Sequence, residues 1–415
     1  MIMLPTARTL VLLGCLTVLA ACNEQESAAT PPNLDVAWSL PQKRGVTPVL
    51  VAKSEPVVAT TKRLERVVVR YARDPLNPWA VCHAILALGP DIKLTNNEPA
   101  IDYLFAEYGE EREVEGNTLV GFPQRTRRTK RNGKEVDVLV EAHPELILKA
   151  LVERGVRPDR EVTVAGKPHT VGDLYRHCMW STWSRGGLVA QQHWSNMSWG
   201  MRAIVTWAPD ELAWTARGGK AMTLNGYVHE SVQDLLASTA PRREEMKTGT
   251  PPPKDHKGLD SYTCGGAHSV DATGYALGRG FGSDGDRSSY DAVMRMWFWY
   301  YPRRLDYLTK LLADQPKYKG IIRTQQLKFI GHFVELTHKM AAVGVLVPDE
   351  QQQAMMRRAV NDLVAICDTL HNEGVFENME AIRKANEQAY LDFVGDSAHA
   401  LYGLQIATGD LKIPY

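Results

Sequence analysis

The sequence has no surplus of charge of either sign: Lys plus Arg and Asp plus Glu each number 48 over 415 residues. That balance removes the overall attraction on which a nucleic-acid binder depends, so no nucleic-acid partner is expected. The apolar run Leu10–Ala21 is too short to span a bilayer as a mature helix. Cysteine is scarce, six in all and widely spaced, which excludes a small scaffold stapled by disulfides. Neither CxxC nor HExxH occurs, so no local motif announces a metal site. What is present is an ordinary globular composition, 44% hydrophobic and 23% charged, in a chain long enough for one large core or two smaller ones.

Arg8 precedes the apolar run, which ends in Leu19-Ala20-Ala21-Cys22. This resembles a bacterial lipoprotein signal with its lipobox, and it implies that residues 1–21 are removed and Cys22 is lipidated. Asn23 is not the aspartate associated with inner-membrane retention, so the resemblance implies an outer-membrane lipoprotein, facing the periplasm or displayed at the surface and held to the membrane by its N-terminal lipid. The remaining thiols, Cys82, Cys178, Cys264 and Cys367, leave disulfide pairing open. Residues 22–61 are rich in Ala, Thr, Pro, Glu and Gln without a sustained period and read as a flexible tether; edge strands around Val49–Val58 are the alternative.

From residue 62 to 415 the pattern is helical. Lys62–Arg73 is amphipathic, and Asn77-Pro78-Trp79 supplies an N-cap and a tolerated first-turn proline for a helix ending near Gly89-Pro90. Small-residue-rich apolar segments follow at His143, His193–Trp207, Tyr262–Gly280, Lys328–Val345 and Asn386–Gly409, with starts roughly 50 to 70 residues apart, which suits helical hairpins joined by variable loops. More charged helical segments lie between them, at Ile101–Tyr108, Val171–Trp183, Tyr227–Thr239, Asp286–Asp314 and Asp349–Glu373. Buried helices alternating with half-exposed ones are what a two-layer ring requires. Three hairpins are expected at the rim: within Leu119–Val140 around Asn132-Gly133, around Ala165-Gly166, and within Ala221–Val228 around Asn225-Gly226. The aromatic run Met296–Tyr301 is expected to pack between layers, and the basic run from Gln124 to Lys134 reads as a solvated hairpin tip.

This alternation resembles the α/α-toroid superfamily of terpene cyclases, prenyltransferases, lanthionine cyclases, thioester domains and glycan-active enzymes. NPWAVCHAILALG at Asn77–Gly89, EAHPELILKALVERGV at Glu141–Val156 and CGGAH at Cys264–His268 look like motifs of secreted bacterial proteins. The resemblance implies an all-α fold, an (α/α)6 toroid of about six helical hairpins with short β-hairpin inserts at the rim. It does not extend to every chemistry of the superfamily. Ala267 stands where a thioester domain needs glutamine, and the DxDD of protonating cyclases is absent.

In such a ring the starts of the inner helices face one funnel. The candidates to converge there are Asn77, Trp79, His83, His143, Glu145, Trp194, Asn196, Cys264 and His268, with His332, Glu335, Asp396 and His399 deeper in their helices. If Tyr262–Gly280 is helical throughout, Cys264 and His268 lie one turn apart on one side. With His83 or His143 they would form a three-ligand zinc site with an open position. A metal-free enzyme would instead use Glu145 or Asp396 as general acid/base and Trp79, Trp194 and Trp199 as stacking platforms for a glycan or other small ligand. In the third reading these residues are caps and core, and the funnel is a binding cup or a scaffold of the cell envelope.

Overall fold

A computed structural model describes residues 36–39, 48–124, 126–131, 134–184, 187–188, 190–253 and 258–413. The expected helices form, and the chain is all-α in class with a few short strands. In order, the first elements are α1 (Glu55–Tyr71), α2 (Pro78–Leu88), α3 (Ala100–Tyr108), the hairpins β1–β2 (Glu110–Val114, Asn117–Gly121) and β3–β4 (Thr126–Arg131, Lys134–Leu139), and α4 (Leu146–Glu153). The hairpin β5–β6 (Glu161–Val164, Lys167–Thr170), α5 (Val171–Ser181), the short pair β7–β8 (Trp183–Ser184, Gly187–Leu188) and α6 (Ala190–Trp207) follow. Then come β9–β10 (Ala213–Ala216, Lys220–Thr223), α7 (Leu224–Thr248), α8 (Ala267–Arg279), α9 (Asp284–Asp314), α10 (Lys319–Ala342), α11 (Glu350–Asn372), α12 (Met379–Ala385) and α13 (Glu387–Ala407).

Burial separates two kinds of helix. In α8 every residue from Ala267 to Gly278 is buried, and α2, α4 and the C-terminal halves of α10 and α13 are similarly enclosed. By contrast α11 buries only Met356, Ala359, Val360, Leu363, Ile366, Cys367 and Leu370, a single stripe at the 3.6-residue period, leaving the other face to water. The enclosed helices contact one another in chain order: α2 packs on α4, α4 on α6, α6 on α8, α8 on α10 and α10 on α13, and α13 returns to α2. Glycine permits a close backbone approach between two of them: a Cβ at Gly403 of α13 would stand 2.8 Å from the Glu335 backbone nitrogen of α10.

Local chemistry explains most boundaries. Asn77 caps α2 by accepting the Ala80 N–H at 3.1 Å, and Pro78 takes the first turn. Asn77→Ala is expected to cost about 1 kcal/mol, read as a lowered midpoint in urea unfolding with an unchanged slope. Met296, Trp297, Phe298 and Tyr301 are buried as expected, with Tyr301 against Phe333 at 4.0 Å between ring centres.

Four expectations need correction. The helix expected from Lys62 begins at Glu55, where Pro56 occupies the first turn, so the last part of the supposed tether belongs to the folded body. Trp38 also packs on Tyr175, and Val51 donates its N–H to the Ala407 carbonyl at 2.8 Å. The hairpin placed around Asn225-Gly226 lies earlier, as β9–β10, because the Thr223 side chain accepts the Gly226 N–H and starts α7 there. The hairpin expected within Leu119–Val140 forms as β3–β4, with Asn132-Gly133 outside the described residues, but it is preceded by a hairpin that was not expected, β1–β2, turning at Glu115-Gly116, both with positive φ. The fourth is at Cys264, below.

Among the described residues no helix is long and apolar enough to cross a membrane, and Cys82, Cys178, Cys264 and Cys367 are all free thiols. Cys22 lies outside the described residues.

Candidate functional site

The segment expected as one helix from Tyr262 divides at Ala267. Cys264, Gly265 and Gly266 take left-handed backbone angles in succession (φ 53°, 63° and 81°), and α8 starts only after them. Gly266 has no room for a side chain, since a Cβ would meet Leu259 at 2.2 Å, and a non-glycine residue with positive φ such as Cys264 is strained by about 1–3 kcal/mol. The turn still brings the thiol over the first turn of α8. Cys264 Sγ and ring nitrogens of His268 and His332 all lie within 4.8 Å of one another.

His332 enters from α10 and takes the place expected for His83 or His143. His83 is turned aside by the hydrogen bond between its Nδ1 and the Trp79 carbonyl at 2.7 Å, and the His143 ring stacks on Trp199 at 4.4 Å. A second triplet, His332, Glu335 and His399, meets the same distance limit. His399 Nδ1 lies 2.6 Å from Glu335 Oε2, and His332 Nδ1 lies 3.7 Å from the same oxygen. One carboxylate thereby orients two imidazoles, the arrangement usual behind histidine ligands. His332 Nε2 is buried and has no hydrogen-bond partner.

The electrostatics follow from burial and from this carboxylate. Burial pulls the His332 ring down, but the Cys264 sulfur and Glu335 outweigh it and hold it up at about 10. Burial, then Lys149, pushes His268 well below the usual histidine range, and burial lowers His399 to about 4 although Glu335 opposes it. Both are therefore neutral, as a metal-ligating imidazole must be. Glu335 itself is held well below the carboxylate range, with Lys339, His399 and His332 together overcoming its burial.

Beneath the cluster runs a buried ionic network. Lys339 Nζ reaches Glu335 at 2.9 Å, Asp271 at 3.1 Å and Glu153 at 3.4 Å. Glu153 also meets Arg202 at 3.0 Å and Lys149 at 3.3 Å, and the Arg202 guanidinium lies over the Tyr275 ring, 3.2 Å from its centre. Three buried cations and three buried carboxylates from α4, α6, α8 and α10 thus balance. The cluster's other side is open. A cavity of about 530 Å³, walled by Asn77, Trp79, His83, Lys328, Asp396 and His399 among others, leads to Cys264, and a recess of about 40 Å³ continues past it to His143, Lys149, Trp199 and His268.

The structure therefore brings together Asn77, Trp79, His83, His143, Cys264, His268, His332, Glu335, Asp396 and His399. It does not bring Glu145: that residue sits in a left-handed conformation (φ 63°) and pairs with His177 at 3.0 Å, away from both spaces. The side chains of Trp194 and Asn196 lie outside the described residues. Sequence reasoning missed Lys149, Glu153, Arg202, Asp271, Lys328 and Lys339. Two of these pairs carried a signal: Lys149/Glu153 and Glu335/Lys339 are i,i+4 charge pairs within otherwise apolar helices.

Comparison with known protein families, with characterised proteins and with solved structures finds no match.

Proposed function

We propose that this chain is an α/α-toroid enzyme whose funnel holds a zinc ion on Cys264, His268 and His332 and processes a small molecule or glycan entering by the large cavity. The observation that carries this reading is the thiol and two imidazoles within 4.8 Å of one another, beside an unpartnered buried ring nitrogen. Thiolate and neutral imidazole suit zinc, so His332, held up by the Cys264 sulfur and Glu335, would release its proton as the ion enters, and three protein ligands leave the open position that catalytic sites keep. Such an ion would polarise a ligand oxygen or lower the pKa of water. Glu335 would hold the two rings in register, and the ionic network would keep Glu335 charged. The closed order of contacts from α2 round to α13 and back supports the toroid. The N-terminal signal supports an outer-membrane lipoprotein anchored through Cys22.

Metal analysis of tag-free protein tests the centre. About one equivalent of zinc is expected, lost in Cys264→Ser, His268→Ala and His332→Ala but retained in Glu145→Gln. Metal-free protein with an inert Cys264 returns the funnel to a binding cup or envelope scaffold.

A second reading has one observation of its own. A cysteine strained into the left-handed region beside His332 and Glu335 is also how a nucleophile with its base and orienting carboxylate is presented. Metal-free protein with a reactive Cys264 would favour it.

A further inference from the structure

One buried acid in the cavity wall has no hydrogen-bond partner for one of its oxygens. Asp396, on α13, is 3% exposed, and its Oδ2 makes no hydrogen bond. Its Oδ1 lies 3.9 Å from Lys328 Nζ, too far for a hydrogen bond. Its neighbour Gly395 packs directly on Trp79, a Cβ there standing 2.3 Å from the indole, and both Trp79 and Asp396 wall the large cavity. A buried carboxyl group with an empty oxygen is costly unless it carries a proton or takes one from a ligand. The same cavity wall carries Cys264, His83 and His399, and Lys328 and His332 face Asp396 from α10 while Asp392 adds like charge from α13.

Resting on the metal reading above, we propose that Asp396, poised by Lys328, is the proton relay of the centre, taking a proton at Oδ2 from the water or ligand hydroxyl at the open position and returning it to the product. Only O–H bonds change in the relay: one breaks at the donor oxygen, one forms at Oδ2, and the electron pair stays on the donor oxygen, whose charge a bound cation would offset. Burial supports the assignment. It pushes Asp396 up to about 7, with Lys328 and then His332 opposing, so both protonation states are close in energy near neutral pH, as a relay needs.

The probe is cobalt(II) alone, loaded into the full chain in place of zinc, and the readout is its visible spectrum across pH. An acid and a metal-bound water that interact titrate as two macroscopic steps belonging to the pair. Wild type is expected to show the thiolate-to-cobalt charge-transfer band and two steps. Asp396→Asn should keep the band and show one step, Asp396→Glu should restore two, and Lys328→Met should move the lower step upward by about one pH unit. Two unchanged steps in Asp396→Asn overturn the relay while leaving the metal centre standing. Absence of the charge-transfer band in wild type overturns the centre and the relay with it. An Asp396→Asn protein that loses cobalt as well makes Asp396 a determinant of the metal site rather than a relay, and also overturns the proposal.

Discussion

Lys339→Met is expected to lower the free energy of unfolding by about 3–5 kcal/mol at pH 7, the scale of breaking a buried ion pair by removing one partner. Lys339 Nζ is shared by Glu335, Asp271 and Glu153, all of them buried. Methionine keeps the volume, so the loss reads charge rather than packing. Afterwards Lys149 and Arg202 must serve three carboxylates. The pH dependence separates this from a generic core defect. In wild type the Lys149, Lys339 and Arg202 charges overcome burial and hold Glu153 down to about 2, far below its ordinary 4.5. Its contribution is complete above about pH 4.5 and is lost as pH falls toward 2. In the variant the surplus carboxylate is pushed up by burial, and Asp271, already raised by burial, is the group that takes the proton. A group with a raised folded pKa destabilises at neutral pH and ceases to do so on acidification. The difference between variant and wild type should therefore shrink between pH 7 and pH 5, measured by urea unfolding at both. A difference that does not change with pH would mean that water already reaches the network.

The elements that could be read in the sequence are those written in local chemistry. Asn77-Pro78 and Asn386 mark helix starts, and both asparagines cap; Gly89 and Gly280 close α2 and α8 with positive φ. The 3.6-residue stripes of α1 and α11 separate half-exposed helices from enclosed ones. The site was legible in its parts and not in its geometry. Cys264 and His268 do meet, but through a left-handed turn rather than a shared helical face, because Gly265 and Gly266 allow an excursion that helical spacing cannot encode. That His332 rather than His83 or His143 joins Cys264 and His268 was hidden for a similar reason. Which of several histidines reaches the cluster depends on ring contacts between segments far apart in sequence, such as His143 on Trp199. The ionic network was missed because charge on an apolar helix reads as a chance solvent contact until the facing helix is known. Lys149 and Glu153 find Arg202 and Lys339 only when α4, α6 and α10 are packed together.

Of the four free thiols in the described structure, Cys264 alone is expected to react with iodoacetamide at neutral pH in metal-free protein, faster than each of the others by about three orders of magnitude. Burial pushes the Cys82 and Cys178 thiols well above their usual range and Cys367 up to about 12. At pH 7 those thiols hold almost no thiolate, and each is shielded from solvent, Cys82 lining only the narrow recess behind Cys264. Cys264 is half-buried at the inner end of the large cavity, beside His332 and ahead of the first turn of α8, where reagent entering the cavity reaches it. Peptide mapping after timed alkylation gives the four rates directly. His332→Gln should slow Cys264 by removing the imidazole that faces the sulfur, while leaving the other three rates unchanged. Stoichiometric zinc should protect Cys264 alone, because a metal-held thiolate is a poorer nucleophile and the cavity leads to no other cysteine in reacting form. Protection by zinc and loss of reactivity in His332→Gln are independent consequences of one arrangement. Equal alkylation of all four cysteines would mean that the inner helices part from one another in solution, and both chemical readings of the funnel would fail together.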